Sequence, residues 1–193
     1  MVIGITGSIA SGKSIVTNYL ISKGYNVIDC DEISHNVLEL NEVKEKVNDT
    51  FLNVLVNNKI DRKKLGLIVF NNLEQKKKLE NITMPYIVCE IKKEIENKEL
   101  VFLDAPTLLE NKLNYLVDKL IVIKTSKDNQ IKRLMLRDNI TYDYAIKKIN
   151  AQWPIEEKLK YANYVIDNDN SINDTYLQVD KILNIIKGEK NEN

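Results

Sequence analysis

Eight residues near the start of the chain, GSIASGKS from Gly7 to Ser14, have the types and spacing needed to handle a polyphosphate. In a G-x-x-x-x-G-K-S run, Gly7 and Gly12 let the backbone turn tightly enough for successive N–H groups to face phosphate oxygens. The N-terminal end of a following helix adds its positive pole. Ala10, Ser11, Gly12 and Ile15 are the other expected walls of this cradle. Lys13 can reach the β- and γ-phosphates, and the Ser14 hydroxyl can ligate Mg²⁺. The expected ligand is therefore a nucleoside triphosphate with Mg²⁺.

Two acidic positions complete the chemistry. The segment LVFLD ends an apolar run in Asp104, which could bind the magnesium directly or through water. In VIDCDEIS, Asp29 and Asp31 follow a second apolar run, where open parallel sheets bind their ligands. Asp31 is the better candidate for orienting an attacking hydroxyl and taking its proton. The competing reading makes these carboxylates caps for the helix that follows.

These residues need a scaffold, and the hydrophobic pattern supplies one. Met1 to Thr6, YNVIDC, LVFLD, KLIVIK and YVID read as five strands separated by helical stretches, a pattern of parallel sheet covered on both faces. Lys13 to Lys23 reads as a helix stopped by Gly24. SINDTYLQVDKILNIIKG reads as a last helix, opened by Ser171 and Asp174 at capping-box spacing and closed at Gly188. The fold class is α/β: a P-loop NTPase-type parallel five-stranded sheet flanked by helices.

Between the second and third strands lie about 70 residues, where a crossover needs only about a dozen. The surplus is patterned as helices (41–56, 62–70 and 74–96) and is expected to form a helical substrate-binding insert. A charged stretch from Leu136 to Tyr161 is a second excursion, expected to act as a helical lid. One domain is expected, with core 1–31, 99–135 and 162–188, insert 32–98, lid 136–161 and a frayed tail 189–193.

Composition narrows the partners. Over 193 residues, 28 basic and 28 acidic side chains cancel, so no net field draws the protein to nucleic acid or anionic lipid. Cys30 and Cys89 form no C-x-x-C pair and read as buried free thiols. No apolar run approaches the ~20 residues of a membrane span, and no signal-peptide pattern opens the chain. A cytoplasmic protein without an obligate protein partner is expected.

The ordered blocks resemble the dephospho-coenzyme A kinase family. They are Gly7 to Ser14; Val27 to Asp31; Asp61, Arg62, Leu65, Gly66, Val69 and Phe70; Asp104, Pro106, Leu108 and Glu110; Gln130, Arg133, Leu134 and Arg137; and Val165 to Asn168. The likeness spans all but the tail. It implies transfer of the ATP γ-phosphate to the ribose 3'-hydroxyl of dephospho-coenzyme A, the last step of coenzyme A synthesis. It also implies that the insert binds the coenzyme, that the second excursion is the lid and that Asp31 is the base. Acceptor-side candidates are Asp31, Arg62, Asp104, Glu110 and Arg133. Arg62 could hold an acceptor phosphate or form a surface ion pair. Arg133 and Arg137 share a helix face, with Arg137 expected to meet charge developing on the γ-phosphate; a solvated face is the alternative.

Several positions depart from the pattern: Ser8 for a usual Gly, Ile15 for Thr or Ser, His35 for Arg, Met84 for His, Leu109 for Phe and Asn163 for Asp. Two other function classes compete. NKID, Asn58 to Asp61, matches a guanine-reading motif but precedes the third strand and lacks a D-x-x-G partner. A nucleoside or nucleoside-monophosphate kinase would share the loop and differ only in its acceptor insert. An idle scaffold is disfavoured by intact Lys13, Ser14, Asp31 and Asp104. DNDNSIND, from Asp167, mimics the first positions of a calcium loop but has Ile172 where glycine is needed.

Overall fold

The structure, a computed structural model, describes residues 1–70 and 72–191. Its strands are β1 (Val2–Gly7), β2 (Asn26–Asp29), β3 (Leu55–Val56), β4 (Lys59–Ile60), β5 (Val101–Asp104), β6 (Lys119–Lys124) and β7 (Tyr164–Asp167). Five of them form a sheet in the order β2-β5-β1-β6-β7. β1 sits centrally and pairs in parallel with β5 and β6, and β6 pairs in parallel with β7. Ile5 stands opposite Asp104, so the β5 carboxylate lies one strand from the start of the glycine loop.

The chain divides into two compact units, 1–28 with 98–193, and 29–97. In the first, α1 (Lys13–Ser22) and α9 (Ile172–Asn191) cover the sheet. Ile3, Ile5, Val16, Leu20, Phe102, Ile121 and Ile123 form one core with Val179, Leu183 and Ile186 of α9. Each such side chain contributes ~1.5–3 kcal/mol by leaving water. Tyr176 stacks on Tyr19 of α1. The expected capping box is formed reciprocally: the Ser171 hydroxyl accepts the Asp174 N–H, and the Asp174 carboxylate accepts the Ser171 N–H and hydroxyl. The second excursion leaves from α6 (Lys127–Asp138) and comprises α7 (Tyr142–Asn150) and the short α8 (Ile155–Leu159).

In the unit 29–97, α2 (Cys30–Val37), α3 (Asn41–Thr50) and α4 (Arg62–Phe70) pack on the long α5 (Leu73–Ile95). Three expectations are corrected. The helix expected over 41–56 ends at Thr50: Asn53 takes a positive φ of 66° within the expected span, and Asn57 and Asn58, just beyond it, take 50° and 61°. Asn tolerates this left-handed conformation, and the consecutive pair makes the two-residue turn of the β3–β4 hairpin. The last helix does not stop at Gly188 but continues to Asn191, held where Glu189 accepts the Tyr164 hydroxyl and pairs with Lys119. The expected tail thus begins as helix, and residues 192–193 lie outside those described. Neither cysteine forms a disulfide, but of the two thiols expected to be buried only Cys30 is, and Cys89 is exposed.

The two decoy motifs have structural uses. Asp61 of NKID accepts the N–H groups of Lys63 and Lys64 and starts α4. In DNDNSIND, Asp167 pairs with Lys124 and Asp174 serves the capping box. Among the described residues, no group of three or more His, Cys, Asp or Glu could hold a metal, and no helix is long and apolar enough to cross a membrane.

Candidate active site

Gly7 ends β1 and Lys13 begins α1, so the glycine-rich loop joins the central strand to a helix N-terminus. The loop has a fixed shape. Ala10 and Gly12 are left-handed, with φ of 59° and 86°, and the Ser11 N–H donates to the Ser8 carbonyl at 3.1 Å. α2, α5, α6 and α7 begin with a side chain accepting from the first turn, whereas α1, like α3 and α8, has no such cap. The Ile15 N–H donates to the Gly12 carbonyl at 2.9 Å, and no side chain takes the N–H groups before it, the arrangement that binds phosphate.

Side chains distant in sequence hold the loop from behind. Lys158 donates to the Gly7 carbonyl at 3.3 Å, Gln130 to the Ile9 carbonyl at 2.7 Å, and Asn168 to the Ser11 carbonyl at 2.8 Å. In a trans peptide unit the C=O and N–H point in opposite directions. Tying back carbonyls 7, 9 and 11 therefore turns the N–H groups of Ser8, Ala10 and Gly12 to the other side. The Ile9 N–H is itself taken by Gln152 at 2.7 Å.

These holders are secured in turn. Asn168 is buried, accepts the Thr175 hydroxyl at 2.8 Å through its side chain, and accepts Arg133 through its carbonyl at 2.8 Å. A Cβ on Gly12 would lie 1.8 Å from Asn168 Nδ2, and a Cβ on Gly7 2.6 Å from the Ile123 carbonyl oxygen, so neither position admits a side chain without movement. Asp169 accepts the Thr125 hydroxyl, the Ser126 N–H and the Asn129 amide. These donors, the Thr125 hydroxyl first, hold its carboxyl well below the usual range.

The expected charged residues separate into groups. Lys13 donates to Asp104, joining the loop lysine to the end of β5. The Ser14 side chain is exposed in the first turn of α1, and Ile15 is half-buried. Glu110 pairs with Lys158 at 2.8 Å and accepts the Trp153 N–H at 3.2 Å. Arg133 reaches the loop: its Nη1 lies 3.5 Å from where a Gly12 Cβ would stand. Arg137 instead pairs with Asp138 at 2.8 Å, and its side chain is 57% exposed. The shared helix face thus serves the loop at one end and solvent at the other.

Asp31 and Arg62 belong to the other unit and are exposed there, as is His35. The cap in VIDCDEIS is Asp29, whose carboxylate accepts the N–H groups of Asp31 and Glu32. Met84 and Pro85 lie within α5.

A cavity of about 720 Å³ opens beside Ser8, lined among others by Thr125, Gln130, Gln152, Trp153 and Asp169. Its size suits a nucleoside-sized group.

The family model for dephospho-CoA kinase matches residues 1–174. The chain belongs to the dephospho-CoA kinase family. A dephospho-CoA kinase of Carboxydothermus hydrogenoformans is 44% identical over 192 residues, covering 94% of this chain and 92% of that one. A solved dephospho-CoA kinase from Campylobacter jejuni is 37% identical, with a TM-score of 0.73 over 97% of this chain and 98% of that one. A crystal structure from Thermus thermophilus aligns with a TM-score of 0.85 at 30% identity, covering 98% and 97% of the two chains. The sheet order, the loop and these relatives agree on a P-loop kinase fold.

Lys158 and Gln152 are the contacts that sequence reasoning missed. Both lie in a charge-rich stretch, EEKLK and its approach, where nothing local marks one lysine for the interior. Gln130 and Asn168 were visible as members of ordered motifs, without their task.

Proposed function

We propose that this chain transfers the γ-phosphate of ATP to the ribose 3'-hydroxyl of dephospho-coenzyme A, forming coenzyme A in the cytoplasm. The observation that carries the donor half is the loop with three carbonyls tied back and an uncapped helix behind it. Family membership carries the acceptor half.

The transition state for phosphoryl transfer is loose, with charge on the γ-oxygens, so alignment and cation placement dominate. Loop N–H groups hold the polyphosphate, and Lys13 exchanges Asp104 for the β- and γ-phosphates. Arg133 meets the nucleotide beside Gly12. Arg137 adds a second cation once it leaves Asp138. Asp31 orients the 3'-hydroxyl and takes its proton, Arg62 contacts the acceptor, and Asp104 and Glu110 border the acceptor's path. The acceptor's remainder rests on the helical unit 29–97, and residues 136–161 close over the nucleotide.

The donors near Lys13 fit Mg²⁺, which takes one or two protein oxygens and fills its shell with water and phosphate. Ser14 and Asp104 would be those oxygens, and they do not form the larger cluster that a dedicated all-protein cage would need. Held there, the ion would supply positive charge to offset that of the polyphosphate.

The test is an acceptor panel with ATP and Mg²⁺. Dephospho-coenzyme A is phosphorylated well above AMP or adenosine; equal or greater activity on AMP overturns the assignment.

A further inference from the structure

Lys158 is fully buried. Its ammonium donates to the Gly7 carbonyl at 3.3 Å and the Pro106 carbonyl at 2.8 Å, and pairs with the Glu110 carboxylate at 2.8 Å. A lysine taken from water is costly, and a hydrophobic residue of similar volume would fill the same space without that cost. What such a residue could not supply is a charged donor aimed at chosen oxygens. One acceptor is the first carbonyl of the phosphate loop. Another, at Pro106, also accepts the Thr6 hydroxyl at 2.9 Å and lies two residues past Asp104, the partner of Lys13.

Glu110 is part of the same device. Its Oε1 takes both Lys158 and the Trp153 N–H, while Oε2 is buried with no hydrogen-bond partner among the described residues. Such a carboxylate is tolerated because the ammonium lies against it. Gln152, one residue before Trp153, holds the Ile9 N–H. The stretch 152–158 is thereby fastened to the loop at Gly7 and Ile9 and to the segment after β5 at Pro106 and Glu110.

We propose that Lys158, paired with Glu110, is a positioning residue for phosphoryl transfer: it holds the Gly7 carbonyl away from the ligand side and so fixes the entrance of the phosphate loop for the triphosphate. With that carbonyl tied back, the Ser8 N–H points the opposite way. With it released, the first peptide of the loop can rotate and present an oxygen where a polyanion must sit. Pro106 and Glu110 couple this orientation to the end of the strand that carries Asp104. The proposal rests on reading the loop as a triphosphate site and concerns how that site is held in shape.

The experiment compares wild type with Lys158→Met, Lys158→Arg and the double variant Lys158→Met/Glu110→Leu. It measures calorimetric Kd for a non-hydrolysable ATP analogue with Mg²⁺, KM and kcat for both substrates, and the thermal midpoint. Lys158→Met leaves Glu110 buried and uncompensated, so it melts low and binds the analogue ~10-fold or more weakly. The double variant removes the stranded carboxylate, so its midpoint rises above that of Lys158→Met. Its analogue affinity nevertheless stays low. Lys158→Arg, which keeps a charged donor, recovers part of the affinity.

Recovery of wild-type analogue affinity together with stability in the double variant overturns the proposal, because the lysine would then be needed only to neutralise Glu110. If Lys158→Met does not fold, the double and arginine variants decide the matter on the same criterion; if the double variant also fails, wild-type affinity in Lys158→Arg supports the proposal and absence of any analogue binding in that folded variant opposes it. Failure of the wild type to phosphorylate dephospho-coenzyme A would count against the proposed reaction, and the binding comparison would still test the positioning role.

Discussion

Two strand-to-helix junctions carry the key residues, and they are built in opposite ways. At the first, β1 runs through the glycine loop into α1, whose N-terminus has no side-chain cap. Residues 130, 158 and 168, more than a hundred positions away, tie back its carbonyls. At the second, β2 passes directly into α2, and Asp29 caps the helix from within the junction. The difference follows from what each must bind. A helix start that is to hold an anion has to leave its N–H groups unused, so its shape must come from elsewhere. A helix start that presents a carboxylate can cap itself and leave the neighbouring acid, Asp31, exposed on the first turn.

The largest expected effect tests this division at the second junction. Asp31→Asn lowers turnover ~10²-fold or more, the scale of a lost general base, and leaves the analogue Kd and the thermal midpoint near wild type. Asp29→Ala does the reverse, destabilising the protein by about 1 kcal/mol through the lost cap. Steady-state kinetics and thermal melts on the two variants read this directly. Unchanged turnover in Asp31→Asn would remove the base from the mechanism and leave both acids as parts of a helix start.

The next effect belongs to the first junction. Gly12→Ala places a Cβ 1.8 Å from Asn168 Nδ2 at a φ of 86°, so the loop must give up either its conformation or its Asn168 anchor. Left-handed backbone at alanine and the lost contact together cost ~1–3 kcal/mol. ATP affinity falls ~10-fold or more, because the strained peptide is the one that faces phosphate. A calorimetric Kd equal to wild type would show that the loop's fixed shape is unnecessary for binding.

The same contrast explains what could be read before the structure. The loop, the five sheet strands and the Ser171–Asp174 capping box are local patterns: a spacing, an apolar run, a pair of polar residues three apart. They emerged from the residues themselves, as did the long helical interruption after β2. The Asn53 turn was lost inside a helical reading that ran to residue 56, because a single asparagine does not announce a left-handed φ. Gly188 was read as a stop, yet glycine ends a helix only when it takes a left-handed turn, and no positive φ occurs there. The holders of the loop were hardest to see. Lys158 sits among exposed glutamates and lysines, and its burial depends on Gly7, Pro106 and Glu110 meeting it in space. Likewise Arg133 and Arg137 looked equivalent at i, i+4, but only the first has the Asn168 carbonyl to dock on.

The smallest effect probes that pair of arginines. Asp138 is held down to about 2 by its hydrogen bond with Arg137 and by Lys148, against an ordinary value of 3.8. Because the folded value is the lower one, the pairing contributes stability that is fully present above about pH 4 and is lost as pH falls toward 2. Arg137 is largely exposed, so screening leaves a contribution of about 1 kcal/mol or less. Thermal midpoints of wild type and Asp138→Asn should therefore differ at pH 7 and converge as the pH approaches 2. A gap that is constant with pH would mean that charge pairing at Asp138 contributes nothing to stability. At neutral pH the same variant leaves Arg137 without its carboxylate partner while every contact that ties back the loop carbonyls is kept. Analogue affinity then stays level or rises. A fall in affinity would show that Asp138 helps shape the donor site, and that the site's supports extend beyond residues in contact with the loop.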